Sequence, residues 1–248
     1  MNLTDFHATP QRPFDPAAQL LGRDGAPLDP FAAFTGESAA LADYLHVMGY
    51  ALLKGVFTPW EVAEALAAAL RLAEAAKEGD GRSWWGRDAQ DTPVLTRILW
   101  SGDEPAIAGM SADPRILSMA ALSPFGLRPA GPGMILYKTP GVTGGLADIP
   151  WHRDCGMGGH DERCPMLIAS VCLRGGSPTA GELRVLPGSW LTAPSYGEHE
   201  GVGLDLRPGD VSLHYSDIMH ASLPAVGPVG RISVLIALTP AGRVPPPV

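Results

Sequence analysis

The sequence predicts a mainly β fold, a sandwich or jelly-roll barrel with helices packed on one face. Five short β-type runs follow Gly131: GMILYK (Gly133 to Lys138), MLIASVCLR (Met166 to Arg174), ELRVL (Glu182 to Leu186), VSLHY (Val211 to Tyr215) and RISVLIAL (Arg231 to Leu238). Turn-forming stretches such as TPGVTGG, RGGSPTAG, LPGS and RPGD accompany them, drawn from a chain with 30 Gly and 25 Pro. Apolar residues at helical spacing, by contrast, are confined to the first half, and helices followed by strands give a helix layer on a β core.

Residues 1–35 are rich in Pro, Asp and Gly without periodicity and read as an arm over the surface. A helix is expected from Glu37 to Met48, with Leu41, Tyr44, Leu45 and Met48 on one face, followed by a short strand from Tyr50 to Phe57. In TPWEVAEALAAALRLAEAAKE, Thr58 suits the N-cap, Pro59 the first helical position and Glu61 the reciprocal capping position, so a long amphipathic helix follows. Residues 79–92, GDGRSWWGRDAQDT, read as a polar loop whose adjacent Trp84 and Trp85 either cover a site or pack on the core. Asp113 to Leu122 gives one more short helix. These elements form one domain: an arm (1–35), a helical support and lid (36–130) and the β core (131–240).

The chain has 248 residues, is 46% hydrophobic and needs no disulfides to hold a core. A net charge of −8, with the basic residues scattered, argues against a nucleic-acid partner and favours a small molecule. No basic leader or spanning apolar run is evident, which makes a cytoplasmic location the expectation. Cys155, Cys164 and Cys172 lack a CxxC pattern and read as reduced thiols. The sequence is silent on oligomeric state.

The chemistry centres on PWHRD. In an extended strand His152 and Asp154 share a face, offering one imidazole nitrogen and one carboxylate oxygen to a metal, while Arg153 points out of the barrel. A third ligand must come from another strand, and PGDVSLHYSDIMHASLP offers His214 and His220. Arg231 opens the next run eleven residues beyond His220, and Ser233 shares its strand face, so a guanidinium and a hydroxyl together suit a carboxylate.

Taken in order, YK (Tyr137, Lys138), PWHRD, GELRVLPGSW (Gly181 to Trp190), PGDVSLHYSDIMHAS (Pro208 to Ser222) and GRIS (Gly230 to Ser233) resemble the phytanoyl-CoA dioxygenase family of Fe(II)- and 2-oxoglutarate-dependent oxygenases. The resemblance spans about residues 130 to 240 closely. It implies a cupin-like double-stranded β-helix, iron held by His152, Asp154 and His220, and 2-oxoglutarate held by Arg231, with Ser233 and Lys138 on the cosubstrate side. It also implies O2-driven oxidation of an unactivated C–H bond, coupled to decarboxylation of 2-oxoglutarate to succinate. The outcome is hydroxylation, or desaturation, cyclisation or epimerisation from the same substrate radical. Trp190 stands where many relatives have His and Arg184 where an apolar residue is common; Asp154 fills the position a halogenase leaves vacant.

Tyr137, Trp151, Trp84, Trp85 and Arg184 are the substrate-side candidates, with Arg82 in the same loop, and a secondary metabolite or small polar compound is the expected substrate. His214 reads as structural or as support for the ligand shell, His160 and His199 as exposed, and Cys155 as a packed thiol. The competing functions are a non-oxidative metal-dependent isomerase or hydrolase on the same fold, disfavoured by Arg231, and a non-catalytic metabolite-binding module, disfavoured by the intact ligand set.

Overall fold

The computed structural model describes residues 19–36, 38–145, 149–157, 164–192 and 201–240. Fourteen strands are assigned along the described chain: β1 (Ala33–Phe34), β2 (Tyr50–Leu53), β3 (Ser83–Asp88), β4 (Pro93–Ile98), β5 (Leu127–Pro129), β6 (Met134–Lys138), β7 (Val142–Gly144), β8 (Ile149–His152), β9 (Leu167–Arg174), β10 (Leu183–Val185), β11 (Val202–Gly203), β12 (Val211–Tyr215), β13 (His220–Ser222) and β14 (Arg231–Pro240). The helices are α1 (Ala39–Met48), α2 (Pro59–Ala75), α3 (Pro105–Ser111), α4 (Pro114–Ala121) and the single-turn α5 (Asp154–Met157). None of the described helices is long and apolar enough to cross a membrane.

Two sheets form a sandwich of jelly-roll type. The larger runs β1-β2-β12-β9-β14-β6-β4-β3-β7, with β5 on β14; the smaller runs β11-β10-β13-β8. Central strands β9 and β14 pair antiparallel over most of their length and are buried on both faces, as their near-continuous apolar sequences require. One face of the large sheet carries the helices. There α2 presents Ala65, Ala68 and Ala69, all fully buried, and this absence of bulk lets the Tyr137 hydroxyl on β6 donate to the Ala69 carbonyl at 2.6 Å. The opposite face looks toward the small sheet and encloses the cavity described below.

Local chemistry sets the helix ends as the sequence suggests. Ser38 Oγ accepts from Leu41 N at 3.0 Å, Thr58 and Glu61 form a reciprocal capping box, and Asp113 caps α4. Glu37, proposed as the start of α1, lies outside the described residues, as do residues 1–18 of the arm, His160 and His199.

The region 79–92 is not a loop. Ser83–Asp88 and Pro93–Ile98 form a hairpin at one side of the large sheet, so the stretch read as helical support contributes two strands. The turn between them is pinned by Asp88 Oδ1, which accepts from Gln90 N and Thr92 N. Trp85 packs on the main core from this hairpin.

Gly49 ends α1 at φ 83°, and a Cβ there would stand 2.5 Å from Trp190 Cδ1 and 3.1 Å from Ile218 Cδ1. Trp190 is fully buried, stacked on Tyr215 at 3.8 Å, with its Nε1 donating to His46 O. Gly49→Ala therefore combines backbone strain with overpacking, and a loss of about 2–4 kcal/mol in urea unfolding is expected; an unchanged midpoint would show that the α1 terminus relaxes freely.

Candidate metal centre and its pocket

β8 and β13 pair antiparallel with His152 directly opposite His220. Their rings lie 4.2 Å apart on the face that looks toward the large sheet. Each ring is oriented by its own backbone: His152 Nδ1 is 2.8 Å from Pro150 O, and His220 Nδ1 is 3.0 Å from Ile218 O. A carbonyl accepts only from N–H, so both imidazoles carry a proton on Nδ1, and the neutral tautomer this selects presents its Nε2 lone pair to the cavity.

Asp154 arrives by a route the strand argument did not foresee. β8 ends at His152, and Asp154 opens α5, its backbone N–H donating to Ser216 O at 3.0 Å. Its Oδ1 lies 3.5 Å from His152 Nε2 and 3.6 Å from His220 Nε2. Metal–ligand bonds of about 2.1 Å meeting near right angles space their ligand atoms by about 3 Å, so the three atoms need only a small contraction to hold one ion. They are the group of His, Cys, Asp and Glu side chains among the described residues whose ligand atoms converge in this way.

Protonation favours the same state. Burial pushes His220 down to about 3, with His152 adding to the effect, and pushes His214 down to about 4, so both are neutral near pH 7. Burial alone would raise the Asp154 carboxyl, but the adjoining imidazoles of His220 and His152 outweigh it and hold the group well below the usual carboxylate range. The site thus offers two imidazole nitrogens and one anionic oxygen.

The residue between the ligands does not point outward. Arg153 is buried, and its guanidinium donates to Ser189 O at 2.8 Å and Thr192 O at 3.1 Å. The outer side of this segment is covered by the 3-10 turn Ser189–Leu191, so Arg153 fastens the ligand-bearing chain to that turn.

A cavity of about 160 Å³ opens beside the three ligands. Its walls are mostly apolar, with Met134, Leu136, Ile168, Leu235 and Ala237 from the large sheet and Ile149 and Leu183 from the small one. The charged groups lining it among the described residues are Asp154, Arg97 and Arg231. Arg231 is buried; its Nε donates to Gly181 O at 2.9 Å and its Nη2 to Ser222 Oγ at 2.8 Å. Burial lowers it to about 10, which leaves it protonated. His214 also lines the cavity, its ring 5.0 Å from that of His220.

Arg97 escaped the sequence reading. It lies on β4 in PVLTRI, a run with β character that should have marked a strand and, with it, a cation held inside the sheet. The side chain is buried, donates to Met134 Sδ at 3.8 Å, and stands over the Trp84 ring at 5.3 Å. Burial lowers its pKa, and the Asp154 charge opposes that shift.

Other anticipated residues lie elsewhere. Tyr137 and Arg184 alternate with the cavity-lining Leu136 and Leu183 and so face away. Tyr137 is in the helix-side core, and Arg184 donates to Gly201 O at 3.2 Å. Trp151 alternates with His152 and packs beside Gly201. Trp85 belongs to the core, its Nε1 bonded to Ser83 Oγ, and Trp84 touches Arg97 rather than the cavity. Arg82 is exposed and paired with Asp103. Lys138 is buried opposite Arg231, on the strand face of cavity-lining Leu136, and donates to Ser222 O at 3.1 Å without itself lining the cavity. Ser233 is fully buried, its Oγ without a partner. The three cysteines are free and buried, Cys155 against Ser216 Oγ.

A family model described as phytanoyl-CoA dioxygenase matches residues 45–233. Comparison with curated proteins gives no match. Among solved structures, EctD from S. alaskensis with 2-oxoglutarate and 5-hydroxyectoine is 25% identical with TM-score 0.68, covering 94% of this chain and 86% of that one. The non-heme alpha ketoglutarate dependent carbocyclase SnoK from nogalamycin biosynthesis is 21% identical with TM-score 0.69, covering 83% and 85%. The epimerase SnoN from the same biosynthesis is 22% identical with TM-score 0.66, covering 81% and 82%.

The lowered histidine pKa values fix how stability depends on pH in the metal-free protein. Unfolded histidine titrates near 6.5, so below that pH the unfolded chain binds protons that His214 and His220 refuse until about 4 and about 3. Asp154 stays ionised in the folded state, and below about pH 5, where an unfolded aspartate begins to take up a proton, it adds to the same fall. Stability in urea should therefore fall as pH drops from about 6.5 to 4, by up to about 1.4 kcal/mol per pH unit for each histidine, and His214→Gln should remove about half of that slope. A flat profile would mean that the two rings are protonated in the folded state.

Proposed function

The chain belongs to the phytanoyl-CoA dioxygenase family of Fe(II)- and 2-oxoglutarate-dependent oxygenases, and on that premise we propose that His152, Asp154 and His220 hold the iron while Arg97 and Arg231 hold the two carboxylates of 2-oxoglutarate. The observation that supports this most is the placing of a two-nitrogen, one-oxygen ligand set in the same cavity as two buried guanidinium groups.

The residues present suit both groups. A His–Asp–His facial set leaves coordination positions open for a chelating keto acid and oxygen. Arg231 uses one N–H on Gly181 O and one on Ser222 Oγ, which fixes the plane of its fork and leaves further N–H groups for a carboxylate. Ser170 Oγ, in the cavity wall, and Ser233 Oγ beneath it are buried without partners, polar groups that an anionic ligand nearby would favour.

Iron and 2-oxoglutarate, when bound, would supply the activation of O2, the oxidant: two electrons come from the keto acid as it loses CO2 and becomes succinate, and two from the substrate C–H bond. The protein's part is positional. Imidazole Nε2 atoms and the anionic Asp154 fix the metal, the two guanidinium groups set the cosubstrate in one orientation, and the apolar walls exclude water, which strengthens those charge interactions. Lys138 acts at one remove, bracing the Ser222 carbonyl beside Arg231.

Pockets that enclose drug-sized ligands measure about 300–1,000 Å³. This cavity is smaller, so it serves as a cosubstrate chamber with the substrate presenting one C–H bond at its mouth. The substrate is a small molecule, and a secondary metabolite is the class we favour. Activity on such metabolites is stated for SnoK and SnoN, both from nogalamycin biosynthesis. Hydroxylation is the expected outcome, with cyclisation and epimerisation as variants.

Anaerobic titration with Fe(II) and 2-oxoglutarate tests the assignment through the visible charge-transfer absorption of a keto acid on ferrous iron. The band should form in the native protein, vanish in Asp154→Ala and require about 10- to 100-fold more 2-oxoglutarate in Arg231→Met, the range for losing a charge-assisted bidentate contact. Metal binding without a band would instead favour non-oxidative metal chemistry.

A further inference from the structure

We propose that Trp84 is a positioning residue that sets the affinity for 2-oxoglutarate by holding Arg97 at the cavity. The inference rests on the cosubstrate reading above and extends it to a side chain that does not line the cavity. It begins from an anomaly of pairing. In the hairpin, Trp84 stands opposite Arg97 but Trp85 stands opposite Leu95, so Thr96 is an extra residue, a β-bulge in β4.

The bulge decides which way Arg97 points. Leu95 and Arg97 are two apart and would share a face in a regular strand, which would send the guanidinium into the helix-side core with Leu95. The extra residue reverses this, and Arg97 instead stands in a cross-strand row with Trp84 on one side and cavity-lining Leu136 on the other. Thr96 fastens the bulge, its Oγ1 donating to the Trp84 carbonyl at 2.9 Å.

Once turned inward, the guanidinium has little to hold it. Its hydrogen-bond partner among the described residues is Met134 Sδ, a weak acceptor at 3.8 Å, and its Nε is buried without a partner. No described carboxylate lies within ion-pair distance, although Arg97 is 8% exposed. A long side chain with several free torsions would lose much of its preorganisation under those conditions. The Trp84 ring, with the Arg97 guanidinium carbon 5.3 Å from its centroid, is what restricts it. Trp85, the adjacent residue of the same type, faces the core and has no such role.

The contrast between the two tryptophans makes the test. In the anaerobic Fe(II) titration, Trp84→Leu should weaken 2-oxoglutarate binding by about three- to tenfold with a urea midpoint close to native, and Trp84→Phe, which keeps an aromatic face, should recover most of the loss. Trp85→Leu should lower the midpoint and leave the affinity unchanged. In an Arg97→Met background, Trp84→Leu should add less than about twofold, because the group it positions is gone. Native affinity in a folded Trp84→Leu protein overturns the proposal, as does a Trp84→Leu loss that persists undiminished with Arg97→Met, or no recovery with phenylalanine. A titration in which the native protein forms no band overturns the cosubstrate reading itself and this inference with it, whereas a normal native band with an indifferent Trp84 overturns this inference alone.

Discussion

The pairing of β8 with β13 in the register that sets His152 against His220 is the constraint on which the rest of the site depends. A shift of β8 by one residue against β13 would carry the His152 imidazole to the outer side of the small sheet and leave His220 alone in the cavity. The structure secures the register from several directions. The Arg153 guanidinium ties the end of β8 to the carbonyls of Ser189 and Thr192, Ser189 Oγ accepts from Met219 N beside β13, and the Asp154 N–H is fixed on Ser216 O. Arg153 thus has a structural reason to be buried, because its Nη2 donates to both carbonyls at once.

The large sheet answers a different demand. Its helix side is packed with apolar residues and the small-residue stripe of α2, while its cavity side carries Arg97, Ser170, His214 and Arg231. Strands buried on both faces usually have no room for such groups. Here the cavity admits them, and the small sheet is held far enough away by its own packing to keep it open. Rigidity comes from one face and chemistry from the other, with the strand alternation separating them.

That alternation also explains what was legible in the sequence. The main strands, the capped helices and the ordered motifs from PWHRD to GRIS were readable because periodicity, capping residues and spacing are local signals. The faces of β6 were not, since Leu136 and Tyr137 are adjacent in a strand covered on both sides and no polar alternation distinguishes cavity from core. Arg153 was misjudged because alternation says which side a residue is on, not whether solvent or another segment lies there. The hairpin carrying Trp84 and Trp85 was hidden by Gly, Arg and Asp residues that resemble a loop, and its bulge, which aims Arg97, depends on pairing with β4 that the sequence of β3 alone does not contain.

The cavity face is less stable than a sheet of this size needs to be. Ser170 Oγ, Ser212 Oγ, Ser233 Oγ and His214 Nδ1 are buried without partners, and each such group costs about 1–3 kcal/mol where an apolar residue of similar shape would cost little. Two guanidinium groups and one carboxylate are also desolvated without direct pairing among them, an arrangement that favours the folded state only weakly. Stability of the fold cannot be what this face serves, because the helix-side core already supplies it. A dianion chelated to a metal, as proposed above, would reverse the balance by giving the guanidinium groups their counter-charges. On this reading the features that destabilise this face and the affinity of the cavity for its ligand are the same interactions.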